Sequence, residues 1–159
     1  MTEVFTSHLD WTGARRGPTI DPSFSRDLSV SLDVTTLPMS APAGFRGDPS
    51  RLNPEQLYVA AVSSCFALTF LTLAAHSRIK VVGFTDDAEG RLERDEGGIR
   101  MDRVVLRPHV VVAGDVDEAL IRSLVRDAEE QCYIGRSVAA RLVVEPTFER
   151  ARLPADAGP

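Results

Sequence analysis

The stretch Asn53–His76, "NPEQLYVAAVSSCFALTFLTLAAH", decides the fold because it is the most apolar segment of the 159-residue chain. An asparagine followed by Pro54 and by Glu55 is typical of a helix start: an N-cap side chain, a proline at the first helical position and a carboxylate near the positive end of the helix dipole. The 19 residues from Leu57 to Ala75 carry no charge. The pattern predicts one helix from Pro54 to about Ala75.

This helix is long enough to span a membrane, but its hydroxyl side chains and its capped start favour a helix inside a soluble domain. A helix that is apolar on all sides must be covered on all sides. The predicted helix has 22 residues and is about 33 Å long, more than one small sheet and one amphipathic helix can cover. We therefore expect a homodimer in which a second copy completes the cover, with no membrane partner.

The flanking segments are typical of strands and of a second helix. Two N-terminal strands are predicted in "VFTSHLDWTG" and "RDLSVSLDVTT", followed by a Pro/Gly-rich loop over residues 37–52. After the long helix we predict a hairpin of "KVVGFTDDAEGRLE" and "GIRMDRVVLRPHVVVAG", then an amphipathic helix capped by Asp115, then a closing strand in "SVAARLVVEPTF". The order β-β-α-β-β-α-β predicts an α+β fold with a largely antiparallel sheet against two main helices.

Length and composition predict a single domain over residues 1–150, with a disordered tail over 151–159. The chain has 18 basic and 23 acidic residues, a net charge of -5, which argues against a nucleic-acid partner. The N-terminus has neither a basic start nor an apolar run, so we expect a cytoplasmic protein. Two cysteines 67 residues apart and three scattered histidines predict free thiols and no metal site.

Three motifs, "NPEQL", "SSCF" and "EEQCYIGRSV", together resemble the osmotically inducible protein C and organic hydroperoxide resistance (OsmC/Ohr) family. The similarity extends from "WTGARRG" to the last strand. It implies an intertwined homodimer in which sheets from both subunits wrap two central apolar helices. It also implies thiol-dependent reduction of organic hydroperoxides in defence against oxidative stress.

Carried over to this sequence, the resemblance makes Cys65 the peroxidatic cysteine and Cys132 the resolving cysteine. Two thiols suit that reaction, because a sulfenic acid on one condenses with the other to give a disulfide. An external dithiol, of lipoyl type or another thiol, must then reset the pair. No bound cofactor is expected.

An apolar surrounding disfavours a thiolate, and Cys65 lies about 15 Å from the N-terminal end of the helix, too far for the helix dipole to act. The resemblance supplies a cation held by Glu55: either Arg46 in the loop or Arg15 after the first strand, with Arg46 preferred and Arg51 a weaker candidate. On one helix Glu55 and Cys65 are about 15 Å apart along the axis and about 80° apart around it. That spacing favours a site assembled across the dimer interface.

Two other functions stay open, because function depends on the site and not on the fold. One is a non-catalytic dimer that binds an apolar small molecule; the other is a redox sensor whose disulfide alters partner binding. The sequence also departs from the family pattern at Tyr133, where proline is common, and at Ser64, where glycine is frequent.

Overall fold

A computed structural model of the chain describes residues 3–13 and 23–151, in two compact units, Met1–Tyr58 and Val59–Pro159. Arg15 and tail residues 152–159 lie outside the described residues. Ala151, the first residue of the predicted disordered tail, ends a strand. The prediction of a single domain over residues 1–150 stays a prediction.

The first unit contains a three-stranded antiparallel sheet of β1 (His8–Asp10), β2 (Leu28–Leu32) and β3 (Thr35–Met39). The prediction of two N-terminal strands is wrong, because a tight turn at residues 33–34 divides the second one. Apolar alternation continues across a two-residue turn, so period alone cannot locate the break. The loop predicted from residue 37 consequently begins only after Met39, and Pro38 lies on an edge strand, where its missing N–H is tolerated.

Helix α1 (Pro54–His76) confirms the predicted long helix to within one residue of its end. Its start is a reciprocal cap: the Gln56 N–H donates to the Asn53 side chain (2.9 Å), and the Asn53 N–H donates to the Gln56 side chain (3.0 Å). Among the described residues, α1 is the one helix long and apolar enough to cross a membrane by length and composition, a test that core helices of soluble proteins also pass.

The second unit contains two three-stranded sheets with strand orders β4-β7-β9 and β5-β6-β8. The strands are β4 (Lys80–Asp86), β5 (Glu89–Asp95), β6 (Gly98–Leu106), β7 (Pro108–Ala113), β8 (Arg141–Val144) and β9 (Thr147–Ala151). Helices α2 (Glu118–Gln131) and α3 (Tyr133–Ser137) separate β7 from β8. Of the six strand pairings among the described residues, four are antiparallel, and β6–β8 and β7–β9 are parallel.

The predicted single hairpin after α1 is wrong, because each of its two long strands is broken and the halves pair in different sheets. One break follows Asp86 and the other is at Arg107, whose N–H donates to the Asp86 carboxylate (2.7 Å). The turn between β5 and β6 is where it was expected, with Gly98 at a φ of 114°. The predicted closing strand is likewise two strands, β8 and β9, divided just before Thr147 at Pro146, which cannot donate a ladder hydrogen bond.

The second main helix starts two residues later than predicted. Its N-cap is Asp117, which accepts from the Ala119 N–H at 2.9 Å, whereas Asp115 forms an ion pair with Arg150 at 2.9 Å. Both aspartates have the right chemistry for a cap, so tertiary pairing decides between them.

The core of the second unit lies between the buried face of α1 and the sheets. That face repeats every four residues and consists of Val62, Phe66, Phe70 and Ala74. Phe70 packs against Phe84 of β4 with ring centroids 5.7 Å apart. Gly90 of β5 sits close to α1, and a Cβ there would collide with the Val59 side chain. Only one face of the central helix is therefore buried within the described chain.

Candidate active site

Cys65 lies half-buried near the middle of α1, one position before the buried Phe66. The turn that carries it is anchored by Ser63, which donates to the Asp86 carboxylate at 2.5 Å. The other oxygen of Asp86 accepts the Arg107 N–H. Asp86 therefore ties α1 to the point where the chain passes from one sheet to the next.

Cys132 occupies the single residue between α2 and α3 and is fully buried. Its backbone N–H donates to the Ala128 carbonyl (2.9 Å) and closes α2. Its sulfur accepts the Gly135 N–H (3.3 Å) and caps α3. The helix junction thus fixes both the backbone and the sulfur of this residue.

The two thiols meet at the first turn of α3. The Ile134 N–H donates to the Cys65 sulfur (3.5 Å), while the next N–H in the chain, that of Gly135, donates to the Cys132 sulfur. Both cysteines are free thiols. Two residues separated by 67 positions are therefore held side by side by consecutive backbone N–H groups.

Burial raises the pKa of the Cys132 thiol to about 11, and the adjacent Cys65 thiol acts in the same direction. The Gly135 N–H opposes the increase, because a hydrogen-bond donor favours the thiolate. Cys132 is accordingly a neutral thiol at neutral pH and a weak nucleophile until its proton is removed.

A groove of about 750 Å³ runs along α1 beside Cys65. Its lining includes Leu68 and Leu73 of α1 and Tyr133, Ile134 and Arg136 of α3. No carboxylate is among the described lining residues. The groove therefore suits a ligand with a largely apolar body.

The hydroxyl groups on this side of α1 do not make the groove polar. Ser64 donates to the Ala60 carbonyl (2.7 Å), Thr69 to the Cys65 carbonyl (2.9 Å) and Thr72 to the Leu68 carbonyl (2.8 Å). Each hydroxyl is therefore satisfied by the backbone of its own helix and presents mainly methyl or methylene groups outward.

The other predicted site residues lie in the first unit. One carboxylate oxygen of Glu55, Oε2, is buried and has no hydrogen-bond partner among the described residues. Arg46 is exposed and ends a one-turn 3-10 helix (Ala43–Phe45) in the left-handed conformation, with a φ of 64°. Arg51 pairs with Asp48 (3.2 Å) and more loosely with Asp27 (3.7 Å). The roles of Glu55 and Arg46 stay predictions, as does that of Arg15, which lies outside the described residues.

Sequence reasoning missed three contributors to the site: the Ser63–Asp86 hydrogen bond and the N–H groups of Ile134 and Gly135. Backbone donors leave no signature in a sequence. The one available signal is Gly135 itself, because a Cβ at that position would lie 3.2 Å from the Cys132 sulfur. Within residues 3–13 and 23–151, no group of His, Cys, Asp or Glu side chains is arranged to hold a metal ion.

The chain matches the model of a known protein family. The family model described as OsmC-like protein matches residues 47–147, which contain α1, both cysteines and the strands β4 to β8, and which end at the first residue of β9. The chain belongs to the OsmC-like family. The recognition from the three motifs and the predicted OsmC-like α+β fold are both confirmed.

Some similar proteins are named for a function, and others are described as uncharacterized or of unknown function. The chain is 28% identical over 146 residues to an organic hydroperoxide resistance protein of Xanthomonas axonopodis pv. citri, covering 91% of this chain and 94% of that protein. It is 24% identical over 110 residues to the uncharacterized protein YmaD of Bacillus subtilis, covering 67% and 73%. Its structure matches an OsmC-like protein of unknown function from Vibrio cholerae with a TM-score of 0.82 and 30% identity, covering 92% and 100%.

Proposed function

We propose that this OsmC-like protein is a thiol-dependent peroxidase that reduces organic hydroperoxides to alcohols in defence against oxidative stress. The observation that carries the proposal is the pairing of the two thiols, with Cys65 lining an apolar groove and Cys132 buried behind it. The organic hydroperoxide resistance protein of Xanthomonas, similar over 91% of this chain, supports the same reaction class.

In the first step Cys65 acts as a thiolate and attacks the distal oxygen of the hydroperoxide bound in the groove. A sulfur–oxygen bond forms, the oxygen–oxygen bond breaks, and the alkoxide leaves as an alcohol after it takes a proton. Cys65 is left as a sulfenic acid. The Ile134 N–H donates to the Cys65 sulfur and holds it beside Cys132 for the next step.

In the second step Cys132 attacks the sulfenic sulfur of Cys65 and forms a disulfide. The hydroxyl group leaves as water with the proton that Cys132 gives up, so atoms and charge balance. A neutral buried thiol suits this role, since the Cys132 thiol is not consumed by solvent oxidants before Cys65 has reacted. An external dithiol then reduces the disulfide, and no bound cofactor takes part.

The proposal includes a homodimer, because the outer face of α1 is apolar and uncovered. Leu68 is 68% exposed and Leu71 is 36% exposed, and the neighbouring hydroxyls of Thr69 and Thr72 are turned onto their own helix. Exposed apolar area of this kind marks an interaction surface. We infer that a second copy covers this face but leaves the groove beside Cys65 open. The second copy also brings Glu55, with its unpaired oxygen, and Arg46 or Arg15 toward the Cys65 of its partner. A monomer that is fully active at high dilution would contradict this arrangement.

A second candidate function is favoured by one observation, the groove of about 750 Å³, whose size lies within the range of small-molecule sites. In that case the protein binds an apolar molecule and the thiols are structural. We place either activity in the cytoplasm, where a reducing environment keeps thiols free at rest.

A turnover experiment separates the peroxidase, the apolar-molecule binder and the redox sensor from one another. Purified protein is mixed with many equivalents of cumene hydroperoxide and with dithiothreitol, and the remaining peroxide is measured over time. A peroxidase consumes peroxide until the dithiol is exhausted. A sensor consumes about one equivalent and stops, and a binder consumes none beyond the rate of the dithiol alone.

A further inference from the structure

The sulfurs of the two cysteines differ sharply in how solvent reaches them. Cys132 has 0% exposure, and its sulfur is enclosed by the first turn of α3, where even an added Cβ on Gly135 would lie only 3.2 Å away. Cys65 is half-buried and lines the groove. A molecule that enters the groove therefore meets the Cys65 sulfur first.

Disulfide formation preserves this difference in access. The bond brings two sulfurs to about 2.05 Å, and the sulfurs of Cys65 and Cys132 already share one turn of α3 through the Ile134 and Gly135 N–H groups. Little rearrangement is needed, so Cys132 stays under α3 and Cys65 stays at the groove.

Reduction of a disulfide requires a thiolate to approach one sulfur while the other leaves. Approach to Cys65 is open from the groove, whereas approach to Cys132 passes through the buried junction between α2 and α3. We propose, on the basis of the proposed peroxidase function, that the external dithiol attacks the Cys65 sulfur and expels Cys132.

The step balances as a thiol–disulfide exchange. The first thiolate of the reductant bonds to the Cys65 sulfur, the Cys65–Cys132 bond breaks, and Cys132 leaves with the electron pair and then takes a proton. The second thiolate of the reductant attacks the reductant's own sulfur in the mixed disulfide and releases Cys65 as a thiolate. The reductant ends as a cyclic disulfide and both protein thiols are restored.

The burial of Cys132 slows its departure as a leaving group, and a backbone N–H partly offsets this effect. Burial raises the pKa of its thiol, and a thiol of high pKa leaves slowly. The Gly135 N–H, 3.3 Å from its sulfur, lies where it receives the departing negative charge.

The test identifies the sulfur that carries the mixed disulfide. The protein is first oxidised with one equivalent of cumene hydroperoxide, and loss of two hydrogens is verified by mass spectrometry. The oxidised protein is mixed with 2-mercaptoethanol, a small neutral monothiol that cannot complete reduction by cyclising. The reaction is quenched in acid at the earliest times, and the adduct is located in peptides generated at low pH.

We expect the adduct on Cys65 in about tenfold excess or more over Cys132, since buried thiols are the less reactive. An adduct mainly on Cys132, or equally on both, would overturn the inference. The same oxidised protein in concentrated urea is the control, where access is equal and the preference should fall to within about threefold; an unchanged preference there would show that the fold does not direct the attack.

Failure of this inference is distinguishable from failure of the proposed function. If the hydroperoxide yields no disulfide at all, the peroxidase proposal fails and this inference fails with it. If the disulfide forms and 2-mercaptoethanol attaches to Cys132, the peroxidase proposal stands and only the direction of reduction is wrong.

Discussion

The turn of α1 that carries Cys65 and the α2–α3 junction that carries Cys132 hold their sulfurs in opposite environments. Cys65 is half-buried beside a groove, on a helix anchored by a side-chain hydrogen bond from Ser63. Cys132 is fully buried and held by backbone hydrogen bonds on both sides. In the proposed reaction this difference divides the chemistry: the exposed thiol meets the oxidant, and the buried neutral thiol is its partner.

The largest expected effect comes from removing the exposed member of this pair. Cys65→Ser should lower the rate of cumene hydroperoxide consumption in the presence of dithiothreitol by at least about a thousandfold, as expected when a covalent nucleophile is lost. The assay is the one described for turnover, and circular dichroism checks that the variant is folded. Retention of more than a tenth of the wild-type rate would show that Cys65 is not the nucleophile.

Removing the buried member should change the product and not the first step. Without Cys132, the sulfenic acid on Cys65 has no partner thiol. After one equivalent of hydroperoxide, Cys132→Ser should carry about tenfold more dimedone on Cys65 than wild type does, as measured by mass spectrometry. Equal labelling of the two proteins would mean that Cys132 does not resolve the intermediate.

A third prediction concerns the pH dependence of Cys132. Its pKa, raised by burial from 9.0 to about 11, reduces its thiolate fraction at pH 8 by about a hundredfold. The thiolate of a thiol with a higher pKa is more nucleophilic, which offsets this loss by about eightfold. Exchange with dithiodipyridine should therefore be at least roughly tenfold slower than for an ordinary thiol, because burial of the sulfur also limits access. The rate should keep rising with pH beyond 9, because the folded protein holds the proton there.

The measurement for that prediction uses Cys65→Ser, in which Cys132 is the one remaining thiol. The same variant in urea provides the ordinary thiol for comparison. Burial, the largest cause of the shift, is retained in this variant. A pH profile that levels off near 9 in the folded protein would contradict an effect of burial on the pKa of Cys132.

The smallest expected effect is a difference in folding stability between variants of two adjacent serines near Cys65. Ser63→Ala removes the donor to Asp86 and should lower the free energy of unfolding by about 1.5 kcal/mol, as for other hydrogen bonds to charged groups. Ser64→Ala is the matched control, because Ser64 bonds to carbonyls of its own helix, and it should change stability by less than about 0.5 kcal/mol. Urea unfolding measures the stability of both variants. Equal effects would show that the Ser63–Asp86 hydrogen bond does not anchor α1.

The sequence was sufficient to predict α1, the α+β class and the family. These features depend on local signals: a capped start, an uninterrupted apolar run and motifs that span few residues. The strand breaks at Asp86 and Arg107 and the helix start at Asp117 were not predictable in the same way. Each is determined by a contact between residues far apart in the chain, such as Asp86 with Arg107 or Asp115 with Arg150.

The candidate site shows the same division between local and distant signals. Cys65 and Cys132 were identified as a pair, but the N–H groups that hold their sulfurs became visible only in three dimensions. The preference for Arg46 over Arg15 as the activating cation stays a prediction. A cation of that kind is supplied by tertiary or quaternary contacts, which no short motif specifies.

The measurement that tests the central claim most directly is the mass of the protein after one equivalent of cumene hydroperoxide without a reductant. The account predicts that the protein loses two hydrogens and that digestion gives a peptide in which Cys65 is joined to Cys132. Dithiothreitol should restore the original protein mass and separate the two cysteine peptides. An unchanged mass, or a stable oxygen adduct on Cys65 with Cys132 still a thiol, would contradict it.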